Sequence, residues 1–335
     1  MTDLTLDPAL ATHPGYARTF QSGRLTLGLM FPMGPLVDGV PDMRGQVALA
    51  QRAEAAGFAA LWSRDVPLFD PGFNDAGQIY DPWVWLAHVA AHTETIALST
   101  AGIVLPLRHP LHVAKAAASI DTLSGGRYLL GMASGDRAAE YPAFGIDRDS
   151  RGQRYREGVE VIRRATQERF PDIDTIHGHM SGLDFLPKPP KGRLPLLAVG
   201  SARQSVQWLT SNMDGWVTYP RPLAEQKPRV DLWRRAAQDK APGVFKPFAQ
   251  SLFIDLTDDP DGAPSEIFLG YRFGRNRLIE HLDGLQDMGV NHVTINLRHS
   301  TKPPAAVIDE LGDHVLQHFP THALVPASDP ERIPA

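Results

Sequence analysis

The sequence predicts an α/β fold, a (β/α)8 TIM barrel with insertions. Three observations point to it. Eight short apolar runs recur along the chain. Amphipathic stretches with helix start and stop signals separate them. The length of 335 residues suits one large barrel with additions.

The eight runs are Leu25–Phe31, Ala59–Trp62, Ile96–Val104, Tyr128–Met132, Leu196–Gly200, Gly215–Thr218, Gln250–Leu256 and His292–Leu297. They lack in/out alternation, as strands covered on both faces do. Between them, Asp81-Pro82 caps a helix through Ala91, and His109-Pro110 opens another that stops at Gly125-Gly126. A helix over about residues 153–170 follows the fourth run. Leu278, Leu282 and Leu285 form an i, i+4, i+7 stripe, and Val307, Leu311 and Val315 repeat it in the last helix.

Residues 1–22 read as an irregular N-terminal arm, 23–320 as one barrel domain, and 321–335 as a C-terminal tail. Two segments fit no barrel unit. One is the proline-rich Asp172–Pro195. The other is Asp258–Arg272, which follows the seventh strand and is the lid candidate.

Composition excludes several functions. The formal charge of -5 and the absence of a basic run argue against nucleic acid or an anionic membrane as partner. Zero cysteines exclude disulfides, thiolate metal sites and a cysteine nucleophile. No signal-like or membrane-spanning apolar run is present, so a cytoplasmic location is expected. His177-Gly178-His179 lacks a supporting third ligand and reads as a surface pair, so no metal is expected. Trp83 and Trp85 read as packing between helices.

Barrel chemistry sits at strand C-terminal ends. That rule selects Asp65, Ser99, Thr100, Ala101, Gly102, Ser134, Gly135, Asp136, Gly200, Ser201, Ala202, Arg203, Arg221 and Arg298. Small residues there let a flat ring or a phosphate approach the backbone. Gly200-Ser201 opens a helix whose N-terminus could hold an anion, with Arg203 adding charge. These residues could equally make tight strand-helix turns. Asp65 and Asp136 could also suit a glycosidase pair, although no sugar-binding feature surrounds them.

The segment Asp81–Gly145 resembles the signature region of bacterial-luciferase-like, flavin-dependent monooxygenases. The matching pieces are His92–Pro110, then Ile120-Asp121-Thr122-Leu123-Ser124-Gly125-Gly126-Arg127, a strand ending in Ser134-Gly135, and Ala143-Phe144-Gly145. Ala53–Trp62, Leu194–Trp208 and Asp214-Gly215-Trp216 extend the likeness, which spans roughly residues 24–320.

The resemblance implies FMN at the C-terminal mouth, with its ring beside a non-proline cis peptide at Ala101–Gly102. It implies a phosphate among Ser134, Gly200 and Ser201, with Arg151 and Tyr155 reaching toward it. It further implies reduced FMN supplied by a separate reductase, oxygenation of a small organic substrate by O2, and a homodimer formed through helices of the first barrel half. Asp65, Arg221 and Arg298 are the catalytic candidates. Asp65 would orient a proton donor or the ring edge; the arginines would stabilise developing negative charge or anchor an acidic substrate.

Departures limit what carries over. The luciferase Glu-His pair after strand two is Asp65-Val66 here, so light emission is not expected. The phosphate-binding arginine after strand four is replaced by Ser134. Three other readings stay open: deazaflavin-dependent hydride transfer on the same fold, a non-catalytic flavin-binding barrel, and an unrelated barrel hydrolase.

Overall fold

A computed structural model describes residues 5–322. Its centre is a closed parallel barrel of eight strands: β1 (Thr26–Met30), β2 (Ala60–Ser63), β3 (Ala97–Thr100), β4 (Tyr128–Ala133), β5 (Leu196–Val199), β6 (Gly215–Thr218), β7 (Phe248–Leu256) and β8 (His292–Asn296). Each pairs with its sequence neighbours, and β8 closes on β1 with Leu29 opposite Ile295. All eight coincide with the apolar runs read from the sequence.

The third run is split. β3 ends at Thr100, the Ala101–Gly102 peptide is cis, and Ile103-Val104 pairs separately with Met132-Ala133 of β4. The cis bond lies where the family resemblance places it.

One principal helix follows each strand. They are α3 (Gln46–Ala56), α4 (Pro82–Ala90), α5 (Pro110–Leu123), α7 (Arg151–Gln167), α8 (Val206–Asn212), α9 (Leu223–Lys240), α10 (Arg275–Asp287) and α11 (Pro304–His314). Asp81 caps α4 through the Trp83 and Val84 N–H groups, with proline in the first turn as read. The Leu278, Leu282 and Leu285 stripe is buried against the barrel. The short helix α6 (Glu140–Ala143) lies in the loop after β4.

The N-terminal arm is not irregular. Helices α1 (Pro8–Ala11) and α2 (Pro14–Thr19) close the N-terminal end of the barrel. Leu10, Tyr16 and Phe20 join Met30, Trp62, Leu129, Leu197 and Val217 in one interior cluster. The Tyr16 hydroxyl donates to the Asp214 carbonyl at 2.9 Å. Too few periodic positions fall in these two helices for the pattern to be legible. Most of the expected tail, residues 323–335, lies outside the described residues.

The signature motif has a structural task. Asp121 Oδ1 faces His13 Nε2 at 3.1 Å and accepts from the Tyr128 N–H. The Arg127 guanidinium donates to the Thr93 hydroxyl and to the Ala90, Thr93, Ser124 and Ile96 carbonyls. These bonds tie α4, α5 and the arm beneath the barrel. Residues at that end of a barrel serve stability rather than turnover.

Both insertions form hairpins. Ile173–Thr175 pairs with Gly178–Met180 outside the barrel, near α5 and α7. His177 bonds to the Arg154 carbonyl there, and no metal-ligand cluster occurs among the described residues. Ser265–Ile267 pairs with Gly270–Phe273, and the latter extends the sheet beside the end of β7. Trp85 is buried edge-on to Phe31 at the end of β1, and Trp83 lies beside Tyr128 of β4. No helix among the described residues is long and apolar enough to cross a membrane.

Candidate active site

A cavity of about 690 Å³ opens at the C-terminal ends of the strands. Its floor is made of Ala101, Gly102, Ala133 and Val199. The floor is flat because there is no room for more. A Cβ on Gly102 would lie 2.8 Å from Val199 Cγ2, and one on Gly135 would lie 2.7 Å from Val104 Cγ1.

One wall is an anion cradle. The turn after β5 carries Gly200 (φ 68°), Ala202 (φ 48°) and Arg203 (φ 59°) in left-handed conformations. Consecutive N–H groups in such turns form concave anion sites. Among the described residues, the Ser201, Ala202 and Arg203 N–H groups have no acceptor. Arg148, Arg151 and Arg203 line the same side. The expected helix N-terminus is not what provides these donors. α8 begins only at Val206, capped by the Ser205 hydroxyl, so the turn itself carries them. Beside the cradle, the buried Tyr141 hydroxyl holds the Ser134 carbonyl.

The opposite wall is built around Asp75. Its carboxylate receives Arg64 at 2.7 and 2.8 Å and Arg298 at 3.0 Å. Burial opposes charge on Asp75. The Arg64 bonds, the Gly77 N–H and the nearby Arg298 outweigh it and hold the carboxyl below its ordinary range. Arg137 faces the cavity with its guanidinium 5.0 Å from the Phe73 ring. Tyr219, Phe253, Phe268 and Leu269 complete the mouth. The last two come from the hairpin read as a lid.

Asp65 lines the cavity, but its oxygens are engaged. Oδ2 accepts from the Val104 N–H at 3.0 Å and from Arg108 Nε at 2.9 Å, and Oδ1 accepts from Arg108 Nη2 at 2.8 Å. It therefore holds the chain beyond the cis peptide rather than presenting a free carboxylate.

The structure brings Asp65, Ala101, Gly102, Ser134, Gly135, Arg151, Gly200, Ser201, Ala202, Arg203 and Arg298 to one cavity. Four candidates lie elsewhere. Strand alternation turns Thr100 outward, where its hydroxyl meets Tyr128 and the Gly131 carbonyl. Ser99 is fully buried and donates to the Leu129 carbonyl. Tyr155 is fully buried behind the floor, with its hydroxyl on the Met132 carbonyl. Arg221 does not line the cavity; it sits past Pro220, and its charge is felt by Arg229 on α9.

The strand-end rule includes Arg64 in the turn after β2 but assigns it no role, and it passes over Asp75, Arg137 and Arg148 as site residues. Arg137 is the chain neighbour of the strand-end Asp136, so the same rule could have found it. Asp75 lies twelve residues past β2 in a loop without periodicity and had no such signal.

A family model described as luciferase-like monooxygenase matches residues 23–328. The F420-dependent hydroxymycolic acid dehydrogenase of Mycobacterium tuberculosis is 33% identical over 189 residues, covering 54% of this chain and 50% of that protein. The chain spans between half and about 63% of the length of such curated relatives. Monooxygenase RslO1 from Streptomyces bottropensis superposes with a TM-score of 0.75 at 19% identity, over 88% of this chain and 99% of that one. The oxygenating constituent of 3,6-diketocamphane monooxygenase from Pseudomonas putida, solved with FMN, gives 0.70 at 14% identity, over 89% and 100%. At such identities the structural likeness speaks for the fold. With the family model covering nearly the whole barrel, the chain belongs to the luciferase-like monooxygenase family.

Proposed function

We propose that this protein is an FMN-dependent monooxygenase that uses reduced FMN and O2 on a small organic substrate. The observation that carries the reading is the cradle of unclaimed Ser201, Ala202 and Arg203 N–H groups flanked by three arginines, set beside a flat floor of small residues. A phosphate monoester fits the first feature and an isoalloxazine fits the second.

Bound reduced flavin supplies the electrons and the reaction with O2. The chain supplies everything else. The cradle donors and Arg148, Arg151 and Arg203 hold the phosphate. Ala101, Gly102 and Val199 support one ring face. Phe253, Phe268 and Leu269 exclude water from the mouth, which strengthens electrostatic contacts inside. Arg298 and Arg64 present positive charge to substrate or developing negative charge. Asp65 positions the Val104 backbone and moves no proton. A separate reductase would deliver reduced FMN, and a homodimer through the first-half helices belongs to the same proposal.

The F420-dependent relative favours a second reading, hydride transfer from a deazaflavin. One titration separates them: FMN, reduced FMN and deazaflavin are added to purified protein while tryptophan fluorescence is followed. Selective FMN or reduced-FMN binding, with O2 consumption on substrate screening, supports the monooxygenase. Selective deazaflavin binding transfers the function to hydride chemistry. Flavin binding without any turnover favours a carrier, and no binding refutes both enzymatic readings.

A further inference from the structure

We propose that the wall facing the cradle recognises a carboxylate on an aromatic or apolar substrate. The inference rests on the proposed function and names the substrate class for that same site.

The charge count on this wall does not close internally. Arg64 follows β2 and Arg298 follows β8, the two neighbours of β1 and across the barrel from β5. Both guanidiniums meet one carboxylate, Asp75. Arg298 turns its second nitrogen to the Asn74 carbonyl at 2.9 Å, a neutral acceptor. Arg64 Nε is buried and has no partner. Arg137, only 7% exposed, has no carboxylate within ion-pair range among the described residues. Its other neighbours are the Phe73 ring and the Leu68 carbonyl. Of the other acids near this wall, Asp65 is taken by Arg108, Asp136 is exposed, and Glu140, buried near Arg137, makes no ion pair with it and is pushed by burial toward its neutral form. Arg64 and Arg298 thus share one buried carboxylate, and Arg137 has none within ion-pair range among the described residues.

Guanidiniums withdrawn from water lose hydration that an unpaired cavity does not return. A planar carboxylate restores it, because guanidinium forks match carboxylate geometry with two parallel bonds. The surroundings choose the rest of the molecule. Tyr219, Phe253 and Phe268 offer ring faces and edges next to these cations. An amide or alcohol would leave the surplus charge unmatched, and a cation would be repelled.

The test uses full-length protein saturated with FMN, so that the cradle is occupied. Benzoate, cinnamate and 2-naphthoate are titrated calorimetrically against their amides. At least one carboxylate should bind ten-fold or more tighter than its amide. R64Q and R298Q should each erase most of that preference. D75N removes the internal counter-charge and should tighten the carboxylate several-fold with its amide unchanged, which mere loosening of the loop would not do. Equal binding of every acid and its amide overturns the proposal. So does a preference that survives both arginine variants, or weaker carboxylate binding in D75N. If FMN itself fails to bind, the cofactor reading falls; the same titration in saturating inorganic phosphate then decides the carboxylate site alone.

Discussion

Asp65 and Arg108 form a two-point ion pair that fixes the backbone just past the Ala101–Gly102 peptide, with Asp65 only 7% exposed. The same carboxylate accepts the Val104 N–H, so one side chain serves both the turn and the guanidinium. Its removal strands a buried donor and leaves Arg108 only its 3.3 Å contact with Asp81. Asp65→Ala should cost about 2–3 kcal/mol, below the full cost for a buried pair because Arg108 keeps access to water. Urea unfolding measures it. Asp65→Asn, which keeps the acceptor for Val104, should cost less; equal losses would mean the Val104 bond is immaterial.

The cradle predicts a phosphate-specific defect. Arg203 is exposed and has no ion-pair partner among the described residues, so its charge is available to a ligand. Arg203→Gln should weaken FMN about five- to ten-fold, roughly 1–1.4 kcal/mol for one charge-assisted contact. Riboflavin, which has no phosphate, should bind both proteins alike. A parallel loss of riboflavin in fluorescence titration would place Arg203 on the ring instead.

Glu140 predicts a pH slope. Burial raises its carboxyl to about 7, against weaker opposing effects from Arg137 and the Leu68 N–H. One of its oxygens is buried without a partner. The folded protein then keeps a proton that the unfolded chain releases near pH 4.5. Stability from this group falls as pH rises from about 4.5 to 7 and stays low above that. Glu140→Gln should remove that slope and gain on the order of 2–3 kcal/mol at pH 8, with little change at pH 4. Thermal melts across that range test it; an unchanged slope would rule Glu140 out as its source.

Tyr16 predicts that the N-terminal helices are part of the barrel. Its ring is 1% exposed within the interior cluster. Tyr16→Ala should cost about 4 kcal/mol through the cavity it leaves. Tyr16→Phe should cost about 1 kcal/mol, the worth of the bond to the Asp214 carbonyl. Calorimetric melting that shows no loss in Tyr16→Ala would make the arm dispensable.

The sequence alone determined the barrel. Eight apolar runs and the Asp81-Pro82 and His109-Pro110 caps are local signals, because burial on both faces and helix starts depend on residues close in the chain. Strand ends also marked the cradle turn at Gly200–Arg203, since the position of a strand end follows from the strand. Direction and partnership were decided only in three dimensions. Alternation sent Thr100 outward while its neighbours faced in, and Asp65 met Arg108 across forty-three residues rather than a ligand. Asp75 gathered Arg64 from its own loop and Arg298 from across 223 residues. The Arg298 pairing depends on barrel closure, which brings β8 beside β1, and no local pattern encodes it. The same closure made a core of the two short helices before β1, whose few apolar residues are silent until the barrel end they fill exists.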